Sequence, residues 1–348
     1  ELFELSSSLE KNKLNLENLF KNCDDFVRRD FIINRNRRAC IYYFDNMVSS
    51  ENISRFILEK LMEPDTDMGM IITAEKIKNK FLPSHEVKIT KETVEILKAI
   101  YDGDCIILVD GIDKALIINV RISKGRLVGD PLIEVSAIGP QEGFVEDIYL
   151  NIALLRKRIK TSRYKIEFCT KGRITKNTFA IMYIEGITNP SFVQELKERV
   201  NRIDTDGFID SGHLRRFISD NKLTPFPQEI ITERPDRCVN HLLEGRVVVM
   251  IDGSPFALIY PSVFIDLIKS ADEAYMSYYM AMFLLSLRFV AFLISTFGAA
   301  LYIAMTVFNP GMIPTQLLIT IASSRAGVPF PAFLEAFIME FTFEILRE

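Results

Sequence analysis

The chain changes character at about Tyr278. Before that point apolar residues come in short runs divided by charged and turn residues; after it they are nearly continuous. Phe289–Phe308, FVAFLISTFGAALYIAMTVF, is twenty residues without a charge, and Asn309-Pro310 closes it. At about 1.5 Å per helical residue it reaches roughly 30 Å, the thickness of a bilayer's hydrocarbon core. The pattern predicts a soluble head and then an α-helical transmembrane region over 266–348, with a first span at about 280–308. Pro314–Ser324 is apolar but too short to span, and Pro329 and Pro331 break the chain after it, which predicts an interfacial or re-entrant helix, or one buried among partners. A second membrane helix is expected at about 332–348.

The head carries an internal repeat. IYDGDCIILVDGIDKALII (100–118) aligns without gaps with LLEGRVVVMIDGSPFALIY (242–260) at an offset of 142. IYYFDNMVSSENI (41–53) aligns with IMYIEGITNPSFV (181–193) at an offset of 140. An Asp-Gly step between apolar runs signals a hairpin, because the turn needs positive φ. Asp110-Gly111 and Asp252-Gly253 are therefore read as structural hairpin turns. The fold class expected is α/β: two duplicated α/β domains with mixed sheets, 31–138 and 139–265, followed by the membrane helices. Each domain should hold a strand, a helix (about 51–62; 191–203), a second helix (91–101; 234–243) and the hairpin. The second domain also shows a leading strand, Tyr164–Lys171, and an acidic helix start at Asp210-Ser211. Residues 1–30 are a helical or flexible lead-in.

Between the domains, Gly139-Pro140 breaks structure, and Phe144, Ile148, Ile152 and Leu155 then fall at helical spacing. This predicts a linking helix that ends in a basic run containing Arg156, Lys157 and Arg158. Two readings stand: a solvated helix end, where cations are favoured, or a contact with anionic lipid or an acidic partner. Glu335, Glu340 and Glu344 lie on the second membrane helix. Glu340, Glu344 and Glu348 are four apart and share a face. Ionisable groups at membrane depth are costly and face protein or water. The open readings are a cation pathway or an intramembrane polar contact inside an oligomer, a helix that lies at the interface, or pairing of each Glu with an arginine such as Arg325 or Arg347.

Composition narrows the classes. A formal charge of −4 gives no basic footprint for nucleic acid. Five scattered cysteines (Cys23, Cys40, Cys105, Cys169, Cys238) suit free thiols in a reducing compartment, so the head is expected to be cytoplasmic. His85, His213 and His241 have no ligand partners at metal spacing. Asp204–Gly207 lacks the acidic twelfth position of a calcium loop. Phosphate-loop, dinucleotide, zincin and nucleophile-elbow motifs are missing. No catalytic residue, metal or cofactor is nominated. No secretory signal opens the chain.

Three long segments carry a family resemblance: GPQEGFVEDIYLNIALLRKRIK (139–160), TERPDRCVNHLLEGRVVVMIDGSPFALIYPSVF (232–264) and VPFPAFLEAFIMEFTFEILRE (328–348). They resemble the A subunits of bacterial spore-germination nutrient receptors, the GerA family. ADEAYMSYYM, before the first span, departs slightly from that family's tyrosine-rich segment. The resemblance implies a cytosolic two-domain head and a multi-pass protein of the inner spore membrane. It also implies B (transporter-like) and C (lipoprotein) partner subunits, a homo-oligomer that conducts ions, and further membrane helices beyond Glu348, so that the chain reads as truncated. A second class remains open: a membrane-tethered ligand-binding or scaffold module.

Overall fold

Two apolar hairpins set the architecture. In the computed structural model, Cys105–Val109 and Val247–Ile251 are buried along their whole length. Each is the centre of a five-stranded sheet. Residues 3–34, 37–63, 73–81, 86–121, 129, 131, 134, 139–219, 224, 226–327 and 329–347 are described. The chain divides into two units, Glu1–Val263 and Phe264–Glu348.

Both sheets lie in the first unit. The first repeat runs α1 (Leu9–Leu19), β1 (Phe26–Ile33), β2 (Arg37–Phe44) and α2 (Ser50–Asn52). A π-helical turn, Ile53–Leu58, carries α2 into α3 (Glu59–Met62); then come α4 (Ala74–Phe81), β3 (Val87–Thr90), α5 (Thr93–Asp102), β4 (Cys105–Val109) and β5 (Ala115–Ile118). The second runs α6 (Ile148–Arg158), β6 (Tyr164–Lys171), β7 (Asn177–Ile184), α7 (Pro190–Arg202) and α8 (Ser211–Ile218). It closes with β8 (Ile230–Thr232), α9 (Pro235–Leu243), β9 (Val247–Ile251) and β10 (Ala257–Tyr260). The strand orders match, β1-β2-β4-β5-β3 and β6-β7-β9-β10-β8. The offset of 142 recurs between β4 and β9 and between β5 and β10.

Three expectations change. The sheets are antiparallel, not mixed: every strand ladder runs antiparallel. Apolar runs such as CIILV resemble parallel strands because both sheet faces are covered, and burial on both faces removes alternation whatever the strand direction. Second, the first repeat has its own leading strand, β1, paired along its length with β2. It falls largely inside the expected lead-in, where Arg28, Arg29 and Asp30 hide the strand pattern. Third, the helix expected to link the domains is a repeated element. α6 begins the second repeat as α1 begins the first, at an offset of 139.

Each sheet packs on two sides. On the first, Ile41, Ile107 and Leu116 meet Ile53, Ile57 and Leu61 on one face. Tyr42, Phe44 and Ile106 meet Leu9, Leu16, Ile96 and Ile100 on the other. On the second, Met182, Val248 and Ile259 meet Ile148, Ile152, Leu155 and Leu242. Val249 and Leu258 meet Val193, Leu196 and Leu214 on the opposite face. Glycines with positive φ shape the turns. Gly245 has φ +87°, and a Cβ there would stand 2.9 Å from the Ile187 carbonyl oxygen, whereas Gly253, at φ +88°, has open space. Gly245→Ala should therefore lower stability by clearly more than Gly253→Ala, whose cost is the left-handed strain of about 1–2 kcal/mol. Thermal unfolding of the two variants side by side checks this, and equal losses would refute it.

The second unit holds α10 (Tyr278–Ile303), which continues through the π-helical turn Ala304–Phe308. α11 (Thr315–Arg325) and α12 (Ala332–Arg347) come after it. Tyr278–Phe308, 31 residues with an 18-residue stretch of mean hydropathy 2.0, is long and apolar enough to cross a membrane.

Candidate functional site

The predicted hairpin turns do more than reverse the chain. Gly111 and Gly253 have φ of +84° and +88°. The turn they shape carries an aspartate that caps the first helix of its own repeat. The Leu9 amide donates to Asp110 Oδ1 at 3.4 Å, and the Ile148 amide to Asp252 Oδ1 at 3.3 Å. The Gly111 and Gly253 amides donate to the Ser7 and Glu146 carbonyls, both at 2.9 Å. A carboxylate at a helix start meets orphan N–H groups and the positive end of the dipole. A buried asparagine completes each copy. Asn12 accepts from the Ser6 amide at 2.9 Å and donates to its carbonyl at 2.7 Å; Asn151 does the same with Val145, at 2.8 and 2.6 Å.

Arg156, Lys157 and Arg158, predicted as one basic run, have three different surroundings. Arg156 is buried, 1% exposed. Its Nε and Nη2 donate to the two oxygens of Asp25, each at 2.8 Å, and its Nη1 to the Tyr164 carbonyl at 2.9 Å. The guanidinium lies 4.4 Å from the centre of the Phe44 ring and 4.7 Å from that of Tyr164. Burial pulls the Arg156 pKa down, but the charge and hydrogen bonds of Asp25 outweigh it and the net shift is upward. Arg158 reaches Glu142 at 2.6 Å near the surface, and Lys157 is exposed. Farther along, Lys160 meets Asp102 of α5 at 2.5 Å. Neither the solvated-end nor the lipid reading describes Arg156; it joins one repeat to the other.

Backbone pairing reinforces that junction. The Asp24 amide donates to the Ile166 carbonyl at 2.9 Å, and the Ile166 amide to the Asn22 carbonyl at 3.2 Å. The Phe168 amide donates to Asp24 Oδ2 at 2.7 Å. Residues 22–24 thus lengthen the second sheet at its β6 edge. The equivalent surface of the first repeat carries charges instead. Lys13 and Glu17 stand where the second repeat has Ile152 and Arg156, and Arg28 stands where it has Ile166. Lys13 and Arg28 both pair with Asp30, at 2.9 and 3.2 Å, and Arg28 also pairs with Glu17. Charges along an open strand edge discourage further pairing at that edge.

The cysteines are free, and burial raises the thiols of Cys40 to about 12 and Cys169 to about 11. Among the described residues no group of His, Cys, Asp and Glu could hold a metal ion. His241 Nδ1 lies 3.0 Å from Glu244, His213 packs beside Phe208 and Phe217, and His85 lies outside the described residues.

In the second unit, Glu335 meets Arg325 at 3.2 Å and Glu344 meets Arg347 at 2.6 Å. Glu340 has no ion-pair partner among the described residues. α12 exposes Phe337, Phe341 and Phe343 at 59, 62 and 63%, a surface that requires cover by lipid or protein. Arg288 of α10 pairs with Glu273. Sequence reasoning missed Asp25, and also Arg234–Asp236, a buried pair at 2.8 Å that starts α9.

Residues 14–348 match the family described as Bacillus/Clostridium GerA spore germination protein. The chain is 35% identical to spore germination protein KA of Bacillus subtilis (strain 168) over 346 residues, 99% of this chain and 63% of that protein. It is 33% identical to the uncharacterized membrane protein YfkQ of the same strain, over 99% of this chain and 67% of that one. The chain therefore spans under two thirds of the length of the first of these relatives. The crystal structure of the N-terminal domain of the A subunit of the Bacillus megaterium spore germinant receptor GerK3 superposes with a TM-score of 0.60 at 31% identity, covering 76% of this chain and 98% of that one. With the match running from the first repeat through the Glu-bearing helix, the chain belongs to the GerA family of spore germination proteins.

Proposed function

We propose that the chain is the A subunit of a nutrient germinant receptor, a non-enzymatic membrane component that signals or conducts ions to start germination. The observation that carries this is the family match over residues 14–348, which takes in the candidate span Tyr278–Phe308 and α12. In this reading the protein is multi-pass in the inner spore membrane with its head in the cytoplasm. It acts as a homo-oligomer with B and C partner subunits, and α12 contributes a wall of a monovalent-cation path. Glu340 supports the path: a carboxylate without an ion-pair partner on an apolar helix is stabilised by facing water or a passing cation. A second reading, a tethered binding or scaffold module, draws support from the duplicated five-stranded sheets of the head.

Ion flux through the full-length receptor, reconstituted with its partner subunits, tests the proposal. Glu340→Gln is expected to lower germinant-triggered flux by at least about tenfold, roughly 1.4 kcal/mol in barrier height. Glu344→Gln, whose carboxylate is held by Arg347, is expected to lower it less. Wild-type flux in Glu340→Gln would remove the path from α12, and no flux with any germinant would remove conduction altogether.

A further inference from the structure

A cavity of about 610 Å³ opens between α8 and the approach to β8 in the second repeat. Arg215, Arg216, Ser219, Phe226, Glu229 and Ile231 line it. Glu229 forms part of its wall, with a side chain 1% exposed, and its carboxylate pairs with Arg215 Nε. Ser219 Oγ lies 3.5 Å from the other carboxylate oxygen. Arg215 is only partly spent on this pair, since 40% of its side chain stays exposed. Arg216 is exposed and has no ion-pair or hydrogen-bond partner among the described residues.

Among the described lining residues two cations stand against one carboxylate, a net positive set. The cavity's apolar side is open: Phe226 is 60% exposed and Ile231 37%. A tie between α8 and β8 would need only Arg215 and Glu229. It would require neither a second arginine nor an uncovered aromatic ring. Apolar walls with a few convergent polar groups are the usual build of a small-molecule site. Guanidinium forks match carboxylates in charge and geometry.

We infer that this cavity binds a small organic carboxylate bearing an apolar group. Arg216, with the free edge of Arg215, takes the carboxylate; Phe226 and Ile231 cover the apolar part. Glu229 positions Arg215 and repels a second anion. The inference goes beyond the receptor reading and is independent of ion conduction, since it concerns binding to the head alone.

The full chain in lipid nanodiscs, titrated by calorimetry with phenylacetate, benzyl alcohol and phenethylamine against empty nanodiscs, tests it. The three probes share a ring and differ in charge. Phenylacetate should bind at least about tenfold more tightly than either of the others. Arg216→Glu should weaken it by at least about tenfold and Arg216→Gln by less, both at an exposed position where the change leaves the fold intact. Absent phenylacetate binding, equal binding of phenethylamine, or undiminished binding in both variants would overturn the assignment. None of these outcomes depends on ion flux, so a failure here is distinct from a failure of the receptor reading.

Discussion

Arg156→Ala is expected to destabilise the head by about 3–5 kcal/mol, because it strands the Asp25 carboxylate, buried and without its counter-charge. Asp25 is 2% exposed, and both its oxygens are bonded by the one guanidinium. The alanine variant also removes the donor to the Tyr164 carbonyl and the cation between two aromatic rings. Breaking a buried pair is far costlier than replacing it, so the double variant Asp25→Leu/Arg156→Met should recover most of the loss. The urea midpoint of the solubilised chain reads the global effect. Hydrogen exchange at the Ile166 and Phe168 amides, which pair with residues 22–24, reads the junction itself. A loss below about 1 kcal/mol would mean that the pair is solvated and does not hold the repeats together.

Asn151→Ala should cost about 1–3 kcal/mol, because two half-buried backbone groups of Val145 lose their Asn151 partner. Asn151 is 1% exposed, and its amide matches Val145 donor to acceptor and acceptor to donor. The matched variant Asn12→Ala breaks the same pair of bonds to Ser6 in the first repeat. Both should loosen the segment entering their helix, read as faster exchange at Val145 and Ser6. Thermal midpoints shifted by the equivalent of less than about 0.5 kcal/mol in both variants would reduce the motif to surface decoration.

Much of the fold was legible along the chain. The gapless offset of 142 located β4, β5, β9 and β10, and every recognised helix has its counterpart in the structure to within a few residues. The Asp-Gly steps were legible as turns because positive φ selects glycine locally. Their capping of α1 and α6 was not, because Asp110 and Leu9 are far apart in sequence. β1 was missed for a related reason. An edge strand that must resist further pairing carries charges, and charges erase the strand signal. The antiparallel direction was missed because covering both faces of a sheet removes the alternation that would betray it.

The basic run shows the same division at one residue. Arg156, Lys157 and Arg158 are equivalent by composition, and the helical repeat alone cannot assign them partners. The sequence by itself determined a duplicated head, an apolar helix long enough to span a bilayer and membership of a germination family, because periodicity, run length and motif order are local or collinear properties. Only the tertiary structure decided that Arg156 is an internal clamp, that Glu335 and Glu344 are paired while Glu340 has no ion-pair partner among the described residues, and that a charged cavity sits beside β8. The clamp depends on which distant carboxylate shares a site closed to solvent, and burial of that kind is created by packing rather than by the order of residues.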